Sequence, residues 1–315
     1  MGVRKWLGRN IWIWSVVGSV LLMVAIRLTT GRFSLDMLVA NMVLASFLAI
    51  LSLGQMTVIA SGNGAIDLSI QYTVALAAYV SSMMVASLGL LPGLLAALAV
   101  CAAVGLLNGL INMYLKVPAM ITSLAVGYIV YSGVLIVSAR TTGMPSPGIA
   151  FFTQQLRVFG VSPFLFVALG FALAMGVLLY RTRYGKYLHA VGQNRRVAQL
   201  AGVNIVRTVV VAFVISSLLA GVAGILLGGY FGGASQDMGL SYLMTSVAAT
   251  VIGGTSAAGG RSSVAGTVCG ALMLTLIVAF LNLTRLPMSV QNIIQGGLLM
   301  TILVASVPKK KGVRA

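Results

Sequence analysis

The sequence predicts an all-α, polytopic membrane protein with about ten transmembrane helices and both termini in the cytoplasm. Three observations carry this. Hydrophobic residues make up 59% of the chain and charged residues 7%, whereas a soluble domain is about 25% charged. Apolar runs long enough to cross a bilayer follow one another from end to end, so that residues 1–315 read as a single transmembrane domain. The basic residues also alternate, with fifteen on the ends assigned to the cytoplasm and five on the outer ends. Topology therefore explains the net charge of +17, and no nucleic-acid partner is expected.

The first apolar run, 11–28, follows MGVRKWLGRN and has no small-residue cleavage site at 25–30. It reads as a retained span, anchored at the interface by Trp6, Trp12 and Trp14. Runs 36–60 and 67–88 are parted by a Gly-rich break inside GQMTVIASGNGAIDLSIQY, residues 54–72. Runs 91–113 and 118–138 follow. Gly105 and Gly109 lie four apart, and Gly221 and Gly224 three apart, spacings that let helices approach closely. Residues 139–162 form the longest outer, periplasmic loop, with Pro145, Pro147 and Gly148 as turn formers and FFTQQLRVF as a short amphipathic helix. After run 163–180 comes the most basic stretch, 181–207, and then runs 207–230, 240–256, 263–284 and 288–307.

A second Gly-rich break, VIGGTSAAGGRSS at 251–263, echoes the first, since both follow a Val-Ile pair and both precede another apolar run. The echo hints at two related halves. Irregular backbone at membrane depth is tolerated only where it is buried in protein or lines a water-filled cavity.

Stretch 181–207, which contains TRYGKYLHAVGQNRRVAQLAGVNI, carries six basic residues, the only histidine and no acid. Asn194 is placed to cap a short helix that ends before Gly202, leaving about two turns. So short a helix is unstable alone and must dock on something. Arg195 and Arg196 fall at the end where the helix dipole disfavours cations, which calls for an acidic partner surface or anionic lipid headgroups.

Catalytic chemistry is hard to build from these residues. General acid–base work wants paired carboxylates or a histidine beside the substrate, and metal sites want clustered ligands. The chain has only Asp36, Asp67 and Asp237 as acids, scattered, and a lone His189 in the cytoplasmic loop. Cys101 and Cys269 fall in apolar runs and act as small hydrophobes. No phosphate-binding loop occurs, so neither an enzyme nor a bound cofactor or metal is expected. An ion-coupled secondary transporter usually carries acids or histidine within its spans, and only Asp67 answers to that here. The other polar residues within the spans are neutral: Gln55, Thr57, Asn108, Asn112, Gln291, Asn292 and Gln295. Amides both donate to and accept from hydroxyls, so such walls suit a neutral, hydroxyl-rich solute. No energy source is visible in the chain, and the docking stretch is where another protein would supply one.

Four stretches together resemble the ribose-type permease subunits of bacterial ATP-binding-cassette importers, in the group that also holds the branched-chain amino-acid permeases. They are GQMTVIASGNGAIDLS, then GLLNGLINMYLKVPAMITSLAVGYI at 105–129, YGKYLHAVGQNRRVAQLAGVNI, and AATVIGGTSAAGGRSSVAGTVCGAL at 248–272. Their order and spacing cover about residues 41–304. The resemblance implies a type II-like importer permease in the bacterial inner membrane, paired with a second permease subunit, identical or different. It also implies a cytoplasmic ATPase that holds ATP and Mg, and a periplasmic sugar-binding protein. For solute passage the candidate residues are Gln55, Asn63, Asp67 and Ser69, then Asn108 and Asn112. Asp67 reads equally as a helix N-cap, and the two asparagines as interhelical glue. Implied ATPase-coupling residues are Asn194, Arg195, Arg196, Val197, Gln199, Leu200 and Gly202. The family often has a glutamate near Arg196, and reads Glu-Leu-Asp where this chain has Leu243, Met244 and Thr245. An amino-acid or nucleoside permease and an ion-coupled carrier are the alternatives.

Overall fold

The computed structural model describes residues 12–30, 35–283 and 286–306. Trp6, the side chains of Trp12 and Asn292, Arg32, Arg285 and the basic clusters at both termini lie outside the described residues. Every apolar run is helical: α1 Trp12–Thr30, α2 Leu35–Ala60, α3 Ile70–Leu88, α4 Leu90–Tyr114 and α5 Ala119–Ser138. After a short α6, Pro147–Ala150, come α7 Phe164–Arg181, α8 Arg183–Gln193 and α9 Arg195–Leu200. The chain continues with α10 Ile205–Phe231, α11 Leu240–Ile252, α12 Val264–Leu283 and α13 Met288–Ser306. Among the described residues, seven helices are long and apolar enough to cross a membrane.

Helix α10 is the axis of the bundle and packs on α2, α3 and α4. Its contact with α4 depends on absent side chains. A Cβ on Gly109 would come within 2.7 Å of the Val210 Cα, and one on Gly105 would meet the Phe213 carbonyl. The Gly pairs thus serve close packing, as their spacing predicts. A cluster of Phe47, Phe164 and Tyr230, with ring centroids 4.8 to 5.7 Å apart, ties α2, α7 and α10 together at another level.

Three boundaries differ from the sequence expectation. α3 starts at Ile70 rather than at 67, because Asp67 and Ser69 hydrogen-bond to each other and hold the backbone in a turn. α11 stops at Ile252 and has 13 residues. At 1.5 Å per residue it rises about 20 Å, short of a bilayer's hydrocarbon core. In the outer loop, helix begins at Pro147 with Ser146 as its cap, passes into a π turn over Phe151–Gln155, and ends before Leu156. One side of this segment packs on the bundle, while Phe151 stays exposed. Thr153 is buried, and Gln154 donates to the Gly229 carbonyl of α10 at 2.8 Å.

The two Gly-rich breaks lie against each other, and the end of α8 is wedged between them. The Gly260 N–H donates to the Ala60 carbonyl at 3.0 Å, joining the second break to the end of α2. Gly192 of α8 packs on both strands of this contact, so a Cβ there would overlap the Ala60 oxygen and the Gly260 nitrogen. Gly192→Ala is therefore expected to destabilise the protein by about 1–3 kcal/mol, as overpacking against unyielding backbone does. Gly176→Ala, where a Cβ meets nothing within 4 Å, is the control and should be neutral or stabilising by up to about 1 kcal/mol. Thermal unfolding of the two variants in detergent checks this, and equal melting curves would remove the wedge.

Candidate functional site

Two polar centres emerge from the breaks. The first is internal. Asp67 is fully buried, and its Oδ1 accepts from the Ser69 backbone N–H at 3.0 Å and from the Ser69 hydroxyl at 2.6 Å. Its Oδ2 accepts from the Ser216 hydroxyl of α10 at 2.9 Å. Asn108 of α4 donates from Nδ2 to the Ser69 Oγ at 2.8 Å. One carboxylate thus gathers α4, the first break and α10, and among the described residues no cation pairs with it. Ser123 of α5 secures the same break from the other side, accepting from the Leu68 N–H at 3.0 Å and donating to the Ile66 carbonyl at 3.1 Å. Asp67 is not the N-cap of α3. Ser69 holds that position, and Asp67 closes an Asx-type turn just before it.

Gln55 stands apart from this network. It lies within α2, fully buried, and neither amide atom has a partner. The Oδ1 of Asn108 is unpartnered as well. Thr57, by contrast, is satisfied by the Gly54 and Ala212 carbonyls. Gln291 lies in the first turn of α13 rather than mid-span, bonding the Leu286 carbonyl at 2.9 Å.

The second centre is an open cleft of about 1140 Å³ between the first break, the α4–α5 turn, α9 and the start of α10. Asn63 and Asn112 line it together with Lys116, Arg195, Arg196 and Gln199. Asn63 and Lys116 both have left-handed backbone, with φ of 58° and 55°. Asparagine tolerates that region readily, whereas lysine is uncommon there. Asn112 donates to the Val117 carbonyl at 2.7 Å and so closes the α4–α5 turn.

The structure therefore splits the residues singled out in the sequence. Asp67, Ser69 and Asn108 form one network, Asn63 and Asn112 share the cleft with three coupling-stretch residues, and Gln55 joins neither. Ser216, Ser123 and Lys116 were missed. The Ser216-Ser217 pair inside an otherwise apolar run was the one available signal for the first of these.

Helix α9 forms as its local chemistry dictates. The Asn194 side chain accepts from the Val197 N–H at 3.1 Å. At the other end Gly202 has φ +80°, its N–H bonds the Gln199 carbonyl, and the Val203 N–H bonds the Ala198 carbonyl, both at 3.0 Å. This is a Schellman stop, with Ala198 and Val203 buried together beneath it. Val197 and Leu200 are left exposed, Leu200 by 83%. They form an apolar pair that faces away from the rest of the chain. Helix α8 is amphipathic, burying Leu188 and Val191. His189 of α8 hydrogen-bonds Ser262 of the second break at 2.8 Å, and burial pushes its imidazole pKa down, so it stays neutral at neutral pH. Gln193 adds a bond to the Gly260 carbonyl at 3.2 Å. Helix α8 is thus clamped to both breaks, and α9 follows it directly after the extended residue Asn194.

The family described as branched-chain amino acid transport system / permease component matches residues 37–303. The autoinducer 2 import system permease protein LsrD of Escherichia coli (strain K12) is 29% identical over 303 residues, covering 92% of this chain and 91% of the relative. Proteins of the same name from Shigella flexneri and Escherichia coli O157:H7 match to the same extent. No solved structure matches the chain.

Proposed function

The chain belongs to the branched-chain amino acid transport system / permease component family, and from that premise we propose that it is the membrane subunit of an ATP-driven, binding-protein-dependent importer of a small sugar-like solute. The observation that carries the energy source is α9. It is a capped two-turn helix with an exposed apolar pair, clamped through α8 to both membrane breaks, in a chain that belongs to a transport family and has no nucleotide-binding loop. Val197 and Leu200 are the contact residues for a cytoplasmic ATPase, which holds ATP and Mg. Asn194 and Gly202 set the ends of the helix, and Arg195, Arg196 and Gln199 lie on its cleft side. The basic-residue bias supports a cytoplasmic position for this face, with both termini on the same side and about ten crossings of the inner membrane.

The names of the relatives attach them to autoinducer 2 import, and the polar walls here suit a neutral, hydroxyl-bearing cargo. The proposed path follows the first break. Gln55, with free amide atoms, and Asn63 and Asn112 in the cleft offer hydrogen bonds to hydroxyls, while Asp67, Ser69 and Asn108 hold the break in shape. A second permease subunit, identical or different, completes the conduit, and a periplasmic binding protein delivers the solute. Transport is then alternating access driven by ATPase closure, without chemistry in this chain.

Uptake by the complex in proteoliposomes should require ATP inside and persist after proton and sodium gradients are collapsed. If uptake stops on collapse with ATP maintained, the chain works as an ion-coupled carrier and the ATP-driven reading fails.

A further inference from the structure

A neutral cargo leaves one feature of the cleft without a task. Lys116, Arg195 and Arg196 converge on a single cavity whose lining contains no acid, and among the described residues none of the three has an ion pair. They come from two settings: Lys116 from the α4–α5 turn, and Arg195 and Arg196 from successive positions of α9. Lys116 is held there by left-handed backbone, and the Arg195 Nε is buried without a hydrogen-bond partner. Three like charges in one concavity repel one another, and water is partly excluded from at least one of them. The unfavourable arrangement is relieved by an anion. Guanidinium and ammonium groups together match the several oxygens of a phosphate, and charge-assisted bonds of this kind are the strong ones. Asn63, Asn112 and Gln199 line the same cavity and supply amides that pair with hydroxyls. A volume of about 1140 Å³ exceeds what an inorganic ion needs and accommodates a small organic one.

We propose that this cleft is a binding site for a hydroxyl-bearing phosphate ester, separate from the apolar face through which α9 meets the ATPase. Two sources share that chemistry: a free sugar phosphate of the cytosol, and the headgroup of a glycerol-bearing phospholipid. The site's separation from the ATPase contact rests on the importer reading, whereas binding itself is read on the purified chain, so that failure of the one is distinguishable from failure of the other.

The test uses the full-length chain in neutral detergent, with radiolabelled ribose 5-phosphate as probe and ribose as the uncharged control. Binding of the phosphate ester is expected to exceed that of ribose and to weaken as salt rises. Arg195→Gln and Lys116→Asn should each weaken it by about tenfold. Asparagine suits the left-handed position, and lying outside α9 it keeps the test alive if the arginine variant is not monodisperse. A parallel measurement separates the sources. In native mass spectra of the chain taken from phosphatidylglycerol nanodiscs, one lipid retained by the wild type and lost by both variants, with ribose 5-phosphate excluded from those discs, identifies the headgroup. Equal binding of ribose and its phosphate with no retained lipid overturns the proposal. So does unchanged binding in both variants, or complete loss of binding once the chain is assembled with its ATPase, which would make the cleft part of that docking surface.

Discussion

Leu200→Asp is expected to abolish ATP-driven uptake while leaving the amount of protein in the membrane unchanged. Leu200 is the last residue of α9 and 83% exposed, so its side chain contributes little to the fold of this chain. Substitutions at such positions usually alter stability by no more than about 0.5 kcal/mol. In a docked complex the same side chain is covered, and an anchoring residue at the centre of an interface is worth about 2–4 kcal/mol. A loss of about 2.7 kcal/mol is a hundredfold loss of association. Burying a carboxylate without a partner adds further cost. Transport and coupled ATP hydrolysis in proteoliposomes, beside quantification of the inserted protein, give the answer. Val197→Asp, one turn earlier on the same face, should act in the same way. Normal uptake by both variants would show that α9 is not where the ATPase pushes.

In that reading, movement of α9 has a short route to the membrane. The helix is joined to α8 by the single extended residue Asn194, and α8 is held to the second break by His189 and Gln193 and to both breaks at Gly192. Backbone in van der Waals contact transmits displacement because packed interiors yield little. The junction at Gly192 also accounts for Gly62, Gly259 and Gly260 of the breaks, since three backbones meet there with no room for side chains.

What was legible in the sequence is what acts over a few residues. The helical runs follow from apolar length, and the ends of α9 follow from Asn194 and Gly202, whose effects reach only a turn away. The α4–α10 seam was foreshadowed by Gly105 and Gly109, because close packing of membrane helices requires small residues. The boundaries that failed were set by tertiary contacts. α3 begins late because Asp67 is engaged with Ser69 and with Ser216, 149 positions away in sequence. In the outer loop the pattern of FFTQQLRVF predicts a short amphipathic helix, but helix persists only to Gln155, and Thr153 and Gln154 are used against α10. For the cleft, Arg195 and Arg196 were conspicuous, yet nothing local shows that Lys116 joins them. That depends on the turn closed by Asn112, which folds the α4–α5 connection back toward α9.

Asp67→Ala is the other substitution with a large expected effect, and it separates two roles for the buried network. If the carboxylate serves to hold the first break, its loss leaves the Ser69 N–H and the hydroxyls of Ser69 and Ser216 without their acceptor in a dry interior. Each buried donor so orphaned costs about 1–3 kcal/mol, so a total of about 3 kcal/mol or more is expected. Asp67→Asn keeps the shape and one acceptor oxygen, and the Ser216 hydroxyl can rotate to accept from the new amide. That variant should recover most of the stability, leaving a deficit of about 1 kcal/mol. Thermal unfolding in detergent measures the first quantity and reconstituted uptake the second. A network that only holds the break predicts that uptake follows stability, lost in Asp67→Ala and largely kept in Asp67→Asn. Asp67→Asn with near-normal stability but no uptake would mean that the charge itself acts on the passing solute. Asp67→Ala as stable as the wild type would dismiss the network as a support, because three orphaned donors in a membrane interior cannot be free of cost.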